Sequence, residues 1–276
     1  MVGHDNRQVV TGVRTYAAFR RHHTVARRLR AVARNVAISG LALGKSIAGE
    51  GGSIRFPYLH HVFDDERKQF EREITYLKRY GSFLSFTEAV ALMRSTGPLE
   101  GSYFCLSFDD GFKNCLTNAL PILAAHDVPC TFFVVTDYLG TTLSGFPNSL
   151  GLSVPVEFMT WEDCRQLRAA GMEIGSHTCS HATLQDLSRD VAIREMRVSK
   201  ERIEQELGCP CAHFCAPRGM FSSDRDPELA RQLGYTSFST TNRGAMRLGE
   251  SSYFIKRDAI VANDGVNQLR YFLSRE

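Results

Sequence analysis

From residue 54 onward the chain alternates short apolar runs with stretches of helical periodicity. Residues 103–108 (YFCLSF) and 130–135 (CTFFVV) read as buried strands, short apolar runs bounded by turn signals. Between them, residues 114–126 repeat apolar positions every three to four residues and read as a helix. The alternation continues with a helix over 161–170, a short strand over 172–175 and a long charged amphipathic helix over 187–207. A strand over 212–215, a helix over 227–233 and a strand over 235–239 follow. Alternation of this kind implies parallel strands joined by crossover helices. Residues 139–156 carry Gly, Pro and Ser without periodicity and read as a long loop, of a sort that often covers a site. Residues 40–52 are rich in Gly and Ser and read as a linker. The chain thus divides into an extension over residues 1–50 and a main domain over residues 51–276.

Composition narrows the class. The chain has 276 residues, 43% hydrophobic and 23% charged, which suits one barrel-sized domain and excludes wholesale disorder. No run of some 18 apolar residues occurs, so a spanning helix is not expected. The net charge of +3 conceals an asymmetry: residues 1–50 carry +7 and the remainder −4. The basic extension reads as a solvated arm or an amphipathic helix packed on the domain. Attachment to an anionic membrane surface is a further reading. A secretory signal fits poorly, because basic residues recur through Arg34 and the apolar patch after it is broken by Ser39 and Gly40. No nucleic-acid partner is expected of the arm. A cytoplasmic location is the default, with export or peripheral membrane association left open.

Eight cysteines are present. Cys105, Cys115, Cys130, Cys164 and Cys179 stand singly in apolar or helical text, as buried reduced thiols do. Cys209, Cys211, His213 and Cys215 alternate strictly. Along one strand they would spread over about 20 Å and could not wrap one ion.

Two motifs carry chemistry. Ser107-Phe108-Asp109-Asp110-Gly111 places adjacent carboxylates at the mouth of a buried strand, where they are costly unless paired or metal-bound. A kink there can send one side chain to a cation and leave the other free as a base; a solvated Asp-Asp-Gly turn is the plain alternative. His177 and His181, at i and i+4 after the strand over 172–175, would share a helix face and could bind one metal; a hydrogen-bonded pair in a loop is the alternative. Both motifs follow parallel strands, so both fall on the C-terminal rim. One Asp with two His leaves positions open for water and substrate, as in a catalytic divalent site.

Residues 106–111 (LSFDDG) and 176–181 (SHTCSH) resemble the first two motifs of the polysaccharide deacetylases, the NodB-homology or carbohydrate esterase family 4. The text around 118–123, 128–133 and 213–219 is similar in kind, and the resemblance spans roughly residues 54–262. It implies an α/β fold, a distorted TIM-like (β/α) barrel, often of seven strands. It implies metal-dependent hydrolysis of an N-acetyl group on an amino sugar. Carried over by position, Asp110, His177 and His181 bind the metal and Asp109 is the general base. The ion is expected to be zinc, with cobalt, nickel or iron as alternatives. A backbone N–H, from the loop after Phe133, would help stabilise the oxyanion.

The chain also departs from the family pattern. Many members take the general acid from a Leu-x-His near the C-terminus, but no histidine follows His213 here. Residues 58–62 (YLHHV) instead resemble the Tyr-His-x-Val segment of a branch with rearranged motif order, which makes His60 the acid and His61 its rival. The family's Arg-x-Pro, followed by an aromatic residue and Gly, is here Cys215-Ala216-Pro217-Arg218-Gly219. Pro217 and Arg218 are expected to shape the site, and Arg218 either supplies the missing positive charge or selects an anionic substrate. Arg257 resembles the arginine of a late strand in this branch, either paired structurally or acting in the site. No Asp-Trp motif stands near residue 240. The lone Trp161 reads as a helix-start packing residue.

The leading reading is a carbohydrate N-deacetylase acting on N-acetylglucosamine-type units and releasing acetate. A hydrolase of the same fold acting on a non-sugar amide is the first alternative, and a catalytically silent glycan-binding protein the second. An aromatic-lined groove favours the sugar; a small closed pocket favours the other amide.

Overall fold

The computed structural model describes residues 12–21, 25–43, 52–143, 156–262 and 265–274. Most of the expected linker, residues 44–51, lies outside the described residues, as do residues 144–155 of the expected loop. What is described of that loop begins and ends as a small antiparallel ladder, Thr142–Leu143 against Val156–Glu157.

Seven parallel strands form the central sheet. We label them β1 (Pro57–Leu59), β2 (Leu106–Phe108), β3 (Cys130–Val134), β4 (Glu173–Ser176), β5 (His213–Cys215), β6 (Ser237–Ser239) and β7 (Asp258–Ala259). Their spatial order is β6-β5-β4-β3-β2-β1-β7, so consecutive strands are neighbours and β7 returns beside β1. The gap between β6 and β7 is bridged by the segment before β7. Ile255 pairs with Ser239, its N–H donates to the Phe238 carbonyl, and the Thr240 N–H donates to the Ile255 carbonyl. The sheet therefore curls into a distorted, barely closed barrel.

Period-2 alternation decides which side chains line the barrel. Leu59, Phe108, Phe132, Phe214 and Phe238 belong to the main apolar cluster, which also contains the buried faces of the surrounding helices. Phe133 and Cys215 belong to a second cluster, together with Ile54, Phe56, Cys105 and Ile255. Gly175 is required by this packing: a Cβ there would lie 2.5 Å from the Phe133 ring.

Two elements differ from the sequence reading. Residues 103–108 are not one strand. Ser102–Phe104 pairs in a small three-stranded sheet with Ser53–Arg55 and Ser82–Phe83, whereas Leu106–Phe108 belongs to the barrel. Cys105 is the crossover, its N–H donating to the Arg55 carbonyl. The helix over 114–126 begins as a wider π turn, Cys115–Ala119, before the α-helical Leu120–Ala125. Trp161 opens the helix Trp161–Ala169, whose start is fixed by a reciprocal Thr160–Asp163 capping box.

The basic extension packs on the domain. Helix Val25–Leu41 contacts the C-terminal helix Val266–Leu273. The shorter helix Tyr16–Arg21 sits by the loop after β1: the amides of Tyr16 and Ala17 donate to the Asp65 carboxylate, and Phe19 stacks near Phe63.

His213 on β5 gives a pH prediction. Its Nδ1 bonds Ser237 at 2.9 Å and its Nε2 bonds Thr87 at 3.1 Å, with Glu173 4.0 Å away. Burial pushes it down to about 4, against the smaller upward pull of Glu173. The unfolded chain protonates this ring below about 6.5 and the folded chain does not, so stability falls as pH drops from about 6.5 to about 4. A depression of this size corresponds to roughly 2–3 kcal/mol across that window. His61, also pushed down to about 4 by burial, adds a loss of the same sign. We expect His213→Asn to reduce the fall in melting temperature between pH 7 and pH 4.5 by about half; an unchanged slope would contradict this account.

Candidate active site

The chain leaves β2 through Asp109 and then Asp110, whose φ is +74°. Gly111 follows at φ +85°. This pair of left-handed residues sends the two carboxylates in different directions. Four of the five non-glycine residues with positive φ among the described residues lie on the rim motifs: Asp110, Thr178, His181 and Arg218. Such conformations cost of order 1 kcal/mol each and concentrate at functional sites.

Asp110 faces the histidines. His177 Nε2 lies 3.5 Å and His181 Nε2 3.2 Å from its Oδ1. Their relation is not that of a helix face, as the i, i+4 spacing suggested. Residues 177–183 form an irregular turn in which Thr178 (φ +66°) and His181 (φ +60°) are left-handed. Outside bonds brace that turn. The amides of Thr136 and Asp137 donate to the carbonyls of Thr178 and Cys179. Glu195, on helix Arg189–Leu207, accepts from the amides of Cys179 and Ser180 and from the Ser180 hydroxyl. These two amides of the loop after Phe133 are thus engaged in bracing the turn, so they do not supply the oxyanion donor expected there.

The donor set fits a divalent ion. One ligand atom each from Asp110, His177 and His181 lies within 4.8 Å of the others. His177 Nδ1 sits 2.9 Å from the Cys215 carbonyl; donating to it leaves Nε2 as the lone-pair nitrogen toward Asp110. Asp110 Oδ1 is buried without a hydrogen bond of acceptable geometry. Two imidazoles and one carboxylate with open positions are the donor chemistry of a catalytic zinc-type site.

Asp109 turns the other way, into the barrel. Arg257, fully buried, grips it with both arms: Nη1 to Oδ1 at 2.7 Å and Nη2 to Oδ2 at 2.8 Å. The guanidinium also donates to the Thr240 carbonyl and stacks on the Tyr58 ring at 4.2 Å. Burial pushes the Asp109 carboxyl up, but the charge and hydrogen bonds of Arg257 outweigh it and hold the group below its ordinary value. Arg257 Nη2 lies 2.8 Å from Cys215 Sγ. Asp109, His177 and Cys215 form a second close triad, but Arg257 fills the position a cation would take there.

The positive charge absent at Cys215 therefore arrives from Arg257, not from Arg218. Arg218 is exposed, in a left-handed turn beside the buried Pro217. The candidate acids also separate. His60 is exposed on the rim, its ring edge-on to Tyr58 at 5.6 Å. His61 is sandwiched between Phe63 and Phe112 at 4.9 and 4.0 Å, its Nδ1 on the Asn114 amide. A cavity of about 670 Å³ opens beside it, lined by Val13, Arg14, His61, Phe63, Phe112 and Asn114 among others. Glu195 and Asn114 are site-building residues without a recognisable local signal, because each acts through a partner far away in the chain.

Fold and site together define a parallel α/β barrel with an Asp-His-His cradle and an arginine-clamped carboxylate at its rim. The family model for polysaccharide deacetylase matches residues 96–238, more than half of the chain. The chain belongs to the polysaccharide deacetylase family. It is 23% identical over 209 residues to YxkH of Bacillus subtilis, covering 75% of this chain and 66% of that protein. It is 28% identical over 144 residues to a chitooligosaccharide deacetylase of Bradyrhizobium, covering 50% and 57%. It is 21% identical over 213 residues to a poly-β-1,6-N-acetyl-D-glucosamine N-deacetylase of Staphylococcus aureus, covering 74% and 69%. Among solved structures, IcaB from Ammonifex degensii superposes with a TM-score of 0.69 at 21% identity, over 82% of this chain and 98% of that one. The Streptococcus pyogenes deacetylase PplD, in complex with acetate, superposes with a TM-score of 0.64 at 23% identity, over 81% and 99%. These likenesses establish the fold.

Proposed function

We propose that the protein is a metal-dependent hydrolase that removes N-acetyl groups from N-acetylglucosamine-type oligo- or polysaccharides and releases acetate. The observation that carries this reading is the split of two adjacent carboxylates: Asp110 faces two histidines while Asp109 is locked onto Arg257. Asp110, His177 and His181 hold the ion, zinc first, with cobalt, nickel or iron able to replace it. When bound, such an ion supplies Lewis acidity, polarising the amide carbonyl and making water a stronger acid. Asp109, kept ionised and fixed by Arg257, accepts a proton on its carboxylate. His60, exposed on the rim, gives a proton to the leaving amine. His61 is poorly suited to that role, because burial keeps its ring neutral. Pro217 and Arg218 shape the entrance.

Similarity to a chitooligosaccharide deacetylase and a poly-β-1,6-N-acetyl-D-glucosamine N-deacetylase supports a sugar chain over a non-sugar amide. A cytoplasmic location belongs to the same reading, supported by eight free thiols, seven of them buried.

The test is acetate release from N-acetylglucosamine oligomers by protein stripped of metal and then reloaded with zinc or cobalt. Release should vanish on stripping and return on loading. His60→Ala should lower it by roughly a hundredfold, in line with loss of a general acid. His61→Ala should act chiefly on stability. No release with any metal would overturn the reading; release that survives His60→Ala but not His61→Ala would reverse the acid assignment.

A further inference from the structure

Helix Val25–Leu41 has two unlike faces. Ile38 within it and Ala42 just beyond are 7% and 1% exposed, and the Arg34 guanidinium lies 5.6 Å over the Phe272 ring of the C-terminal helix. A different side carries Val25, Leu29, Val32 and Val36, spaced four, three and four residues apart, with Leu43 seven residues further on. Their exposures are 71%, 65%, 55%, 68% and 78%. At about 100° per residue the four within the helix fall within an arc of roughly 60°. Six of the ten exposed large hydrophobic residues among the described residues lie between Val25 and Leu43. A concentrated apolar stripe of this kind marks an interaction surface, whereas singly scattered ones do not.

Charge identifies what covers it. The helix contains Arg27, Arg28, Arg30 and Arg34 and no acidic residue. Arg30 and Arg34 are exposed and lie on the side of the helix away from the stripe, as the basic face of an interfacial helix does. The same helix on a second copy carries no acidic residue and so offers these arginines no counter-charge. A negatively charged surface with an apolar interior satisfies both features at once. No described helix is long and apolar enough to cross a membrane, so the stripe would lie on a bilayer, not span it.

We propose that helix Val25–Leu41 docks the protein on an anionic lipid surface, the stripe Val25–Leu29–Val32–Val36 entering the interface and the net positive charge of the helix drawing it to the headgroups. Three residues separate this helix from Tyr16–Arg21, whose Phe19 ring is 5.9 Å from His61. Docking therefore tethers the rim of the barrel close to the lipid.

The experiment is sedimentation of the full chain with vesicles of phosphatidylcholine alone or with 30 mol% (about one lipid in three) phosphatidylglycerol, at low and high salt. The wild type should bind the anionic vesicles at least about tenfold more tightly than the neutral ones, less so at high salt. Leu29→Glu with Val36→Glu should abolish that binding while leaving the melting temperature and acetate release unchanged, since both side chains are exposed. Failure to bind anionic vesicles, or equal binding by the double variant, would overturn the proposal. So would a wild-type dimer in light scattering that the double variant converts to a monomer, because a second copy would then cover the stripe.

Discussion

Arg257→Met is expected to destabilise the folded chain by about 3–5 kcal/mol, the range for removing one partner of a buried ion pair. The reason is geometric. Asp109 is 2% exposed, and Arg257 holds both of its oxygens. Without the guanidinium the carboxylate is buried without its counter-charge. Its pKa then rises, because burial is no longer opposed. For a domain of this size the loss corresponds to a fall in melting temperature of roughly 10 °C. Arg257→Lys should fall between the two, since an ammonium keeps the charge but cannot grip two oxygens and stack on Tyr58 together. A double variant, Asp109→Leu with Arg257→Met, should recover much of the lost stability, as apolar replacement of a whole buried pair often does. Circular-dichroism melts of the three variants check this. A loss below about 1 kcal/mol in Arg257→Met would show that the pair is less coupled than its geometry implies.

Asp109→Asn is expected to lower acetate release by roughly a thousandfold, within the range for losing a positioned base. Asparagine keeps the shape but accepts no proton. The variant also leaves Arg257 with an unpaired charge inside the barrel, so its rate must be compared with wild type well below both melting temperatures. If release is unchanged at saturating metal, Asp109 is not the base; if neither wild type nor variant releases acetate, the silent glycan-binding alternative returns.

Much of this candidate site is legible in the sequence because its residues lie next to strands. Asp109, Asp110, His177 and His181 sit at the ends of β2 and β4, and those strands announce themselves as apolar runs bounded by polar turns. The same alternation yields β2 to β6, whereas β1 and β7 are too short to show it and the expected count of seven comes from the family resemblance. The path of the chain around the ligands is less legible. Equal spacing of two histidines fits a helix as well as an irregular turn, and only the left-handed Thr178 and His181 settle which. The split of residues 102–108 between two sheets is hidden because both halves are equally apolar; Cys105 merely changes pairing partner. Arg257 stands 148 residues from Asp109, so its clamp on that carboxylate is a product of barrel closure, not of any local motif. The same holds for Glu195, one acid among several on a long charged helix, which proves to brace the histidine turn.

The central claim is that two neighbouring carboxylates have been given separate tasks by one backbone kink. Calorimetric titration of zinc into metal-free wild type, Asp109→Asn and Asp110→Asn tests it most directly. The account predicts near-wild-type affinity in Asp109→Asn and a loss of at least about a hundredfold in Asp110→Asn, as expected when one of three protein ligands is removed. Equal loss in both variants, or zinc held as tightly by Asp110→Asn as by wild type, would contradict it.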